Sequence, residues 1–371
     1  MTAWTLLSLR QYEPPEQPEL HKRVAYLERV IQEGTGPGTA LAAIGQQNPE
    51  WELFTLSFSA YAFANLAAQQ PAFRAEAARY IDLAIGQALT PPVRDAFEYR
   101  ATASAAPDTT GSVLYLGHLN LMLGCLRELD PASPRTELHN ALSGALYRRY
   151  TLDASGCLES YPRLRWVPDN TVALASLALH SQLTGSEYAS VSHQWVTRAK
   201  RQYLDAHTGV LVSQVDAQGQ PQEEPRGSMV GWSIWFISRF DLAFAQEQYK
   251  RYEQHFSTNL GLVRLYQERA GQHTTNYGDL DSGPLVLGYS IPANAFAFAD
   301  AVALGDLRNA RRLQRLIQLG RREIETPTEL RYGVRFANLP VSPLAEALLL
   351  YSEFPVTTHS SVRSSTAHVA F

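Results

Sequence analysis

Hydrophobic residues recur at three- and four-residue spacing along most of the chain, which places them on one stripe of an α-helix. The windows with this pattern are 18–32, 50–68, 71–89, 111–129, 134–149, 171–183, 187–204, 229–237, 241–256, 284–304, 307–325 and 341–352. The sequence therefore predicts an all-α protein.

Glycine, proline and other turn-forming residues separate these windows, as in 35–38, 90–92, 130–134, 184–186 and 205–209. Short and long connections alternate, which indicates helical hairpins packed in sequence. We predict that six hairpins close into an (α/α)6 barrel over residues 1–356, because no strict repeat typical of an open solenoid is present. A flexible C-terminal tail is predicted over 357–371.

The four longest predicted connections hold most of the polar and aromatic candidates, and they are 93–110, 152–170, 210–228 and 270–283. Long polar loops on a rigid scaffold are a common place for a binding pocket. We therefore expect a small-molecule substrate to bind where these loops converge.

Composition narrows the class of protein. Hydrophobic residues make up 45% of the chain and charged residues 18%, so a large core can form. The net charge of −4 and the absence of basic runs argue against a nucleic-acid partner. Without a secretory signal or an apolar run of about 20 residues, we expect no membrane span and a cytoplasmic location. A homo-oligomer is compatible with these features.

Cys125 and Cys157 form neither a disulfide framework nor a metal-ligand cluster. No phosphate-binding glycine loop, nucleophile elbow or zinc signature occurs either. We therefore predict no metal and no cofactor.

The first candidate site lies in the window 114–122, where Tyr115, His118 and Met122 are spaced to share one side of a helix. His118 could act as a general acid or base, because an imidazole titrates near neutral pH. The structural alternative is a core histidine that is bonded to a backbone carbonyl.

The second candidate is the stretch 161–170 before an apolar helix. Its functional interpretation places Tyr161, Arg165 and Trp166 over the pocket mouth, with Asp169 or Asn170 reaching a ligand. The structural alternative is that Asp169 or Asn170 caps the helix.

The third candidate is the loop 277–284, in which Tyr277 precedes two alternating carboxylates. Asp279 and Asp281 could serve as acid and base if burial separates their pKa values. Alternatively, Asp281 or Ser282 caps a helix that opens at Pro284.

Three segments resemble the linalool dehydratase/isomerase family in order and spacing, namely 115–122, 168–170 and 184–209, with 51–53 as a weaker match. The resemblance implies an (α/α)6 barrel with a central pocket. It also implies cofactor-independent hydration, dehydration or isomerisation of a small terpene alcohol, with His118 as the pocket histidine and Asp169 in the matching Pro-Asp-Asn motif.

The chain departs from that family at the pocket cysteines, whose positions correspond to Trp166 and Ala175. The Asp and Tyr expected shortly before Trp51 are also missing from 34–49. Because fold similarity does not determine chemistry, the family's own reaction is not expected unchanged.

We therefore predict a lyase or isomerase-like enzyme that acts on a small, terpenoid-type substrate. His118, Asp279 and Asp281 are the predicted catalytic residues. The predicted substrate-binding residues are Tyr115, Met122, Tyr161, Arg165, Trp166, Asp169, Asn170 and Tyr277. Two alternatives stay open: a carbohydrate-active hydrolase or lyase, and a non-catalytic small-molecule-binding or scaffold protein.

Overall fold

The computed structural model describes residues 11–97, 108–271, 285, 287–335, 339–340 and 342–355. Its helices are α1 Gln17–Glu33, α2 Ala40–Gly45, α3 Pro49–Gln69, α4 Arg74–Ala88, α5 Pro91–Arg94, α6 Val113–Leu129, α7 Thr136–Leu152, α8 Val167–Thr184, α9 Ser190–Gln202, α10 Gly227–Ile237, α11 Leu242–Phe256, α12 Ile291–Ala303, α13 Leu307–Gly320 and α14 Pro343–Glu353. The predicted tail lies outside the described residues.

Six helices form a closed inner ring. In ring order they are α3, α6, α8, α10, α12 and α14; each packs on the next, and α14 packs back on α3. The outer helices α1, α4, α7, α9, α11 and α13 surround the ring. The prediction of an (α/α)6 barrel is therefore confirmed.

Inner and outer helices differ in the way their sequences distribute apolar residues. Inner helix α6 buries almost every side chain, since it is covered by the ring on one side and by outer helices on the other. Outer helix α13 buries only Asn309, Ala310 and Leu313, and its other residues are half-buried or exposed. An apolar stripe thus indicates an outer helix, whereas apolar character all round indicates an inner one.

Each of the first five inner helices is joined to the following outer helix by a short turn, whereas a longer connection leads from that outer helix to the next inner helix. All six inner helices consequently run in one direction. We call the end with their N-termini and the long connections the loop end, and the other the turn end. The long connections therefore meet at one end of the barrel, as the sequence predicts.

Among the described residues, three small antiparallel sheets lie in the connections at the loop end. β1 Arg165–Trp166, β2 Gln214–Val215 and β3 Pro221–Glu223 form the first, and β4 Ser257–Asn259 and β5 Arg264–Tyr266 the second. The third consists of β6 Arg321–Glu325, β7 Leu330–Val334 and β8 Leu339–Pro340.

Two predicted helix boundaries are wrong by five residues or more. The window 307–325 ends in a strand, because Arg321–Glu325 pairs with Leu330–Val334. The window 284–304 begins too early, because α12 begins after Ser290, whose side chain accepts a hydrogen bond of 3.1 Å from the amide of Ala293.

A buried ion pair joins the first outer helix to the last inner helix. Arg23 of α1 lies 2.6 Å from Glu353 of α14 and 3.8 Å from Glu346, and all three side chains are buried. Tyr12 also donates a hydrogen bond of 3.1 Å to the carbonyl of Glu353. These contacts fasten the two ends of the barrel sequence together. None of the helices within the described residues combines the length and apolar character of a membrane span.

Candidate functional site

Helix α8 begins at Val167, four residues before the predicted start at Thr171. Pro168 is well placed in this first turn, since an amide hydrogen is not needed there. Trp166 is the N-cap residue, so neither Asp169 nor Asn170 has the predicted capping position. Both instead lie in the first turn of an inner helix at the loop end.

Asn170 holds the preceding loop against the helix. Its side-chain oxygen accepts hydrogen bonds from the hydroxyl of Tyr150 at 2.8 Å and the amide of Leu158 at 2.7 Å. Its side-chain nitrogen donates to the carbonyls of Trp166 at 2.7 Å and Leu158 at 3.1 Å. These bonds use both donors and both acceptor directions of the amide. Asn170 therefore positions the loop.

Arg165 and Tyr161 connect the same loop to its surroundings. Arg165 is largely buried and forms an ion pair of 2.8 Å with Asp153. The hydroxyl of Tyr161 donates a hydrogen bond to Glu50, in the first turn of inner helix α3. Tyr161 and Trp166 are half-buried. The loop before α8 thus brings aromatic side chains to the loop end of the barrel, and their place over a pocket mouth stays a prediction.

Asp169 is a carboxylate with only 7% of its surface exposed. One turn further along α8, Ala173 packs so closely on α6 that a Cβ atom at Gly117 would lie 3.0 Å from it. Residues four apart share one side of a helix, so Asp169 lies on the side of α8 that meets α6. It lies one turn nearer the loop end than this contact.

His118 lies further into the barrel and is fully buried. Its ring centre is 5.0 Å from that of Phe54, 5.9 Å from that of Phe58 and 5.6 Å from that of Trp232. The hydroxyl of Tyr61 lies 3.1 Å from its Nδ1 and also donates to its backbone carbonyl. We call Phe54, Phe58, Tyr61, His118 and Trp232 the aromatic floor.

Burial lowers the pKa of His118 to about 3, because a charged imidazole would lose its hydration among these rings. The imidazole is therefore neutral over the physiological pH range. Its Nε2 has no hydrogen-bond partner among the described residues. His118 is a polar group within an apolar cluster, and its predicted catalytic role stays a prediction.

Tyr115 and Met122 are buried in the same helix. Tyr115 faces outer helix α4, where its hydroxyl donates a hydrogen bond of 3.0 Å to the carbonyl of Ala88 and its ring stacks on Phe97. The prediction that Tyr115 and His118 share one side of the helix is not accurate enough here, because side chains three residues apart on a helix still differ by about 60° in direction. That angle separates the barrel interior from the contact with α4.

Tyr277, Asp279 and Asp281 lie outside the described residues. The predicted proton relay between His118 and one of these carboxylates stays a prediction. Across the described part of the chain, no group of three or more His, Cys, Asp or Glu is arranged to hold a metal ion.

A buried ion pair at the start of α10 has no local signal in the sequence. Arg226 lies 3.1 Å from Glu268, and the hydroxyl of Ser228 donates a hydrogen bond of 2.7 Å to the same carboxylate. Gly227 allows the chain to approach, since a Cβ atom there would collide with the carbonyl of Gln267. Arg226 and Glu268 are 42 residues apart, so only the tertiary fold brings them together.

No protein-family model matches the chain. Solved structures do match it. An unsaturated glucuronyl hydrolase from Bacillus sp. GL1, responsible for the degradation of glycosaminoglycan, aligns with a TM-score of 0.59 and 13% identity. The alignment covers 91% of this chain and 95% of that chain.

A family 105 glycoside hydrolase from C. acetobutylicum aligns with a TM-score of 0.55 and 12% identity, over 88% of this chain and 98% of that one. An inactive variant of an alpha-1,6-mannanase from Salegentibacter, in complex with alpha-1,6-mannotetrose, aligns with a TM-score of 0.52 and 12% identity. That alignment covers 89% of this chain and 98% of the mannanase. At such identities the likeness shows the α/α-barrel fold that these proteins share with the chain.

The resemblance to the linalool dehydratase/isomerase family is wrong. The matching barrels are glycoside hydrolases, and the terpenoid and isomerase expectations have no support among them. The motif residues instead have packing roles: Gly117 admits α8, Asn120 donates to Ser176 at 2.8 Å, and Asn170 holds its loop. Short motifs of this kind can recur wherever inner helices pack in the same way.

Proposed function

We propose that the chain is a carbohydrate-active hydrolase or lyase that acts on a saccharide at the loop end, with Asp169 as its acid–base group. The observation that carries the proposal is a carboxylate, only 7% exposed, in the first turn of an inner helix at the end where the long connections meet. Asp169 combines a chemically suitable group with a position held by a rigid helix.

The electrostatics of the loop end favour this chemistry. The N-terminus of each inner helix carries a partial positive charge, and all six N-termini lie at this end of the ring. Such an arrangement favours an anionic substrate group or a negative charge that develops during the reaction. Tyr161, Trp166 and Phe54 are partly exposed there and offer apolar ring faces for sugar packing.

The chemistry of both enzyme classes uses a carboxyl group of this kind. A hydrolase needs an acid that protonates the leaving glycosidic oxygen and a second carboxylate that activates water or attacks the sugar. A lyase needs a base that removes a proton from the sugar ring. We propose Asp279 or Asp281 as the partner carboxylate, since their connection leads into α12 at the loop end.

The neutral imidazole of His118 is proposed to shape the base of the pocket together with the aromatic floor. A pKa of about 3 makes this imidazole a poor proton acceptor at neutral pH. The named activities of the similar structures, a glucuronyl hydrolase and an alpha-1,6-mannanase, support a saccharide substrate. The mannanase variant, in which two aspartates are replaced by alanine, is inactive, which supports a role for aspartate in a barrel of this kind.

The test is turnover of neutral and acidic oligosaccharides, measured by new reducing ends and by the ultraviolet absorbance of an unsaturated product. Asp169→Asn should lower turnover by about 10²–10⁴-fold, because it removes the proton-transferring group with little change in volume. Asp241→Asn is the matched control. Asp241 accepts a hydrogen bond from the amide of Phe244 at the turn end, and asparagine caps a helix equally well.

The same assay can contradict the proposal in two ways. Unchanged turnover by Asp169→Asn would remove Asp169 as the acid–base group. No conversion of any saccharide by the wild-type chain, across both substrate classes, would remove the carbohydrate-active function itself.

A further inference from the structure

The loop before α8 contains a tight turn with an unusual residue at its tip. The amide of Leu164 donates a hydrogen bond of 2.9 Å to the carbonyl of Tyr161, which closes a four-residue turn through Pro162 and Arg163. Arg163 has a φ of +68°, in the left-handed region. Proline followed by positive φ is the pattern of a type II turn, in which glycine is the preferred third residue.

In the part of the chain that the structure describes, strain of this kind occurs only at the loop end of the barrel. Within the described ranges, Arg163 and Leu287 are the non-glycine residues with positive φ, and both lie in connections at the loop end. In the turn-end connections, positive φ occurs at Gly185 and Gly305. Side chains that hold a strained backbone conformation cluster at functional sites. The side chain of Arg163 thus occupies a position where glycine would be the easier residue.

The charge of Arg163 is also unusual for this loop. Its neighbour Arg165 is largely buried and paired with Asp153. Arg163 is exposed, and within the described part of the chain it has no ion-pair or hydrogen-bond partner. The turn lies between Tyr161, which contacts α3, and Trp166, the N-cap residue of the helix that contains Asp169. The unpaired guanidinium of Arg163 is therefore held at the edge of the loop end, which we call the rim, a few residues from the proposed acid–base group.

We propose that Arg163 is a specificity-determining residue that binds a carboxylate or sulfate group of the saccharide, outside the bond that is broken. The inference rests on the proposed function. Arginine suits this role because its planar guanidinium can donate two parallel hydrogen bonds to one anionic group. The strained turn keeps the residue at a fixed point of the rim, so less freedom is lost when the ligand binds.

Binding can be measured separately from turnover in the Asp169→Asn background, with oligogalacturonates and manno-oligosaccharides of equal length as probes. Calorimetric titration would be done at low and high salt. Arg163→Gly and Arg163→Asn remove the charge but suit the turn, whereas Arg163→Lys retains the charge. Arg308→Ala is the matched control, since Arg308 is exposed near the turn end at the start of α13.

Arg163→Gly and Arg163→Asn should each weaken oligogalacturonate binding about five- to tenfold at low salt, without lowering the melting temperature. The effect should shrink at high salt, because exposed charges are screened. Arg163→Lys should retain most of the affinity. Manno-oligosaccharide binding and the Arg308→Ala variant should be unchanged.

The inference would be overturned if Arg163→Gly and its parent bound oligogalacturonates with equal affinity. It would also be overturned if the variant lost as much affinity for manno-oligosaccharides as for oligogalacturonates, or if oligogalacturonates did not bind at all. The proposed function has its own readout. If oligogalacturonates bind through Arg163 but the wild-type chain cleaves no saccharide, the enzyme proposal fails and the inference stands. If turnover depends on Asp169 but the Arg163 variants bind oligogalacturonates as tightly as their parent, the inference fails and the enzyme proposal stands.

Discussion

The two ends of the barrel place buried titratable residues in different surroundings. At the turn end, His139 and His180 are buried with their ring centres 4.8 Å apart, beside connections of only a few residues. At the loop end, Asp169 lies among long connections and six helix N-termini. A buried titratable group is therefore not by itself a site. Its position relative to the long connections and the positive helix ends is the better guide.

The largest expected effect on stability concerns the buried contact between α1 and α14, which closes the ring. The loop end and the turn end are distinct only if the ring is closed. Arg23→Ala should lower the free energy of unfolding by about 3–5 kcal/mol, because Glu353 and Glu346 would stay buried without their cation. Chemical denaturation measures this change. The control is Lys22→Ala, which breaks a more exposed ion pair with Glu325 and should cost less than about 1 kcal/mol.

If Arg23→Ala unfolded only a part of the barrel, seen as two separate transitions, the ring would not be one cooperative unit. A single transition shifted to lower denaturant is the expected result.

A smaller effect is expected at the loop end, where α10 approaches the connection after β5. Gly227→Ala should lower the free energy of unfolding by about 1–3 kcal/mol, because the added methyl group meets the backbone at Gln267. Gly320→Ala is the matched control, since nothing lies within 4 Å of a Cβ atom there. Similar stabilities of the two variants would show that this approach is loose and that the Arg226–Glu268 contact does not hold the loop.

The effect that is smallest at neutral pH concerns two buried histidines, and it grows as the pH falls. Burial lowers the pKa of His118 and of His139 to about 3, from 6.5 in the unfolded chain. The unfolded chain therefore binds more protons below pH 6.5. Each histidine stabilises the fold fully above that pH, and the contribution is lost as the pH falls towards 3, by at most about 1.4 kcal/mol per pH unit.

His139→Leu and His118→Leu should each reduce this acid dependence, measured by denaturation between pH 4 and 7. Their effects on turnover should differ, since only His118 belongs to the aromatic floor beneath the loop end. Loss of turnover in His139→Leu, with the fold intact, would contradict the assignment of the turn end to structure alone.

The sequence predicts the barrel well because apolar spacing and turn residues are local signals. The boundaries of α6 and α3 are reproduced within two residues at each end. The strand Arg321–Glu325 is missed because its identity depends on pairing with Leu330–Val334, and the window reads as a continuation of α13. Local pattern therefore reveals helices but not the small sheets of the loop end.

The site is less predictable for a related reason. The sequence singles out the loop before α8 and predicts Asp169 as a substrate-binding residue, with a helix cap as the structural alternative. The cap is wrong because the helix begins four residues before the predicted start. Arg226 and Glu268 are missed because their contact joins distant segments. The sequence motif around His118 suggests a terpenoid pocket, whereas its residues meet the packing needs of an inner helix.

A crystal structure of Asp169→Asn with a bound oligosaccharide would decide whether the loop end is the site of the reaction. We predict sugar density at the loop end. The side chain of residue 169 should lie within about 3 Å of the glycosidic oxygen that a hydrolase protonates, or of the ring proton that a lyase removes. Sugar bound only at the turn end or on the outer helices, with residue 169 out of reach, would contradict this prediction.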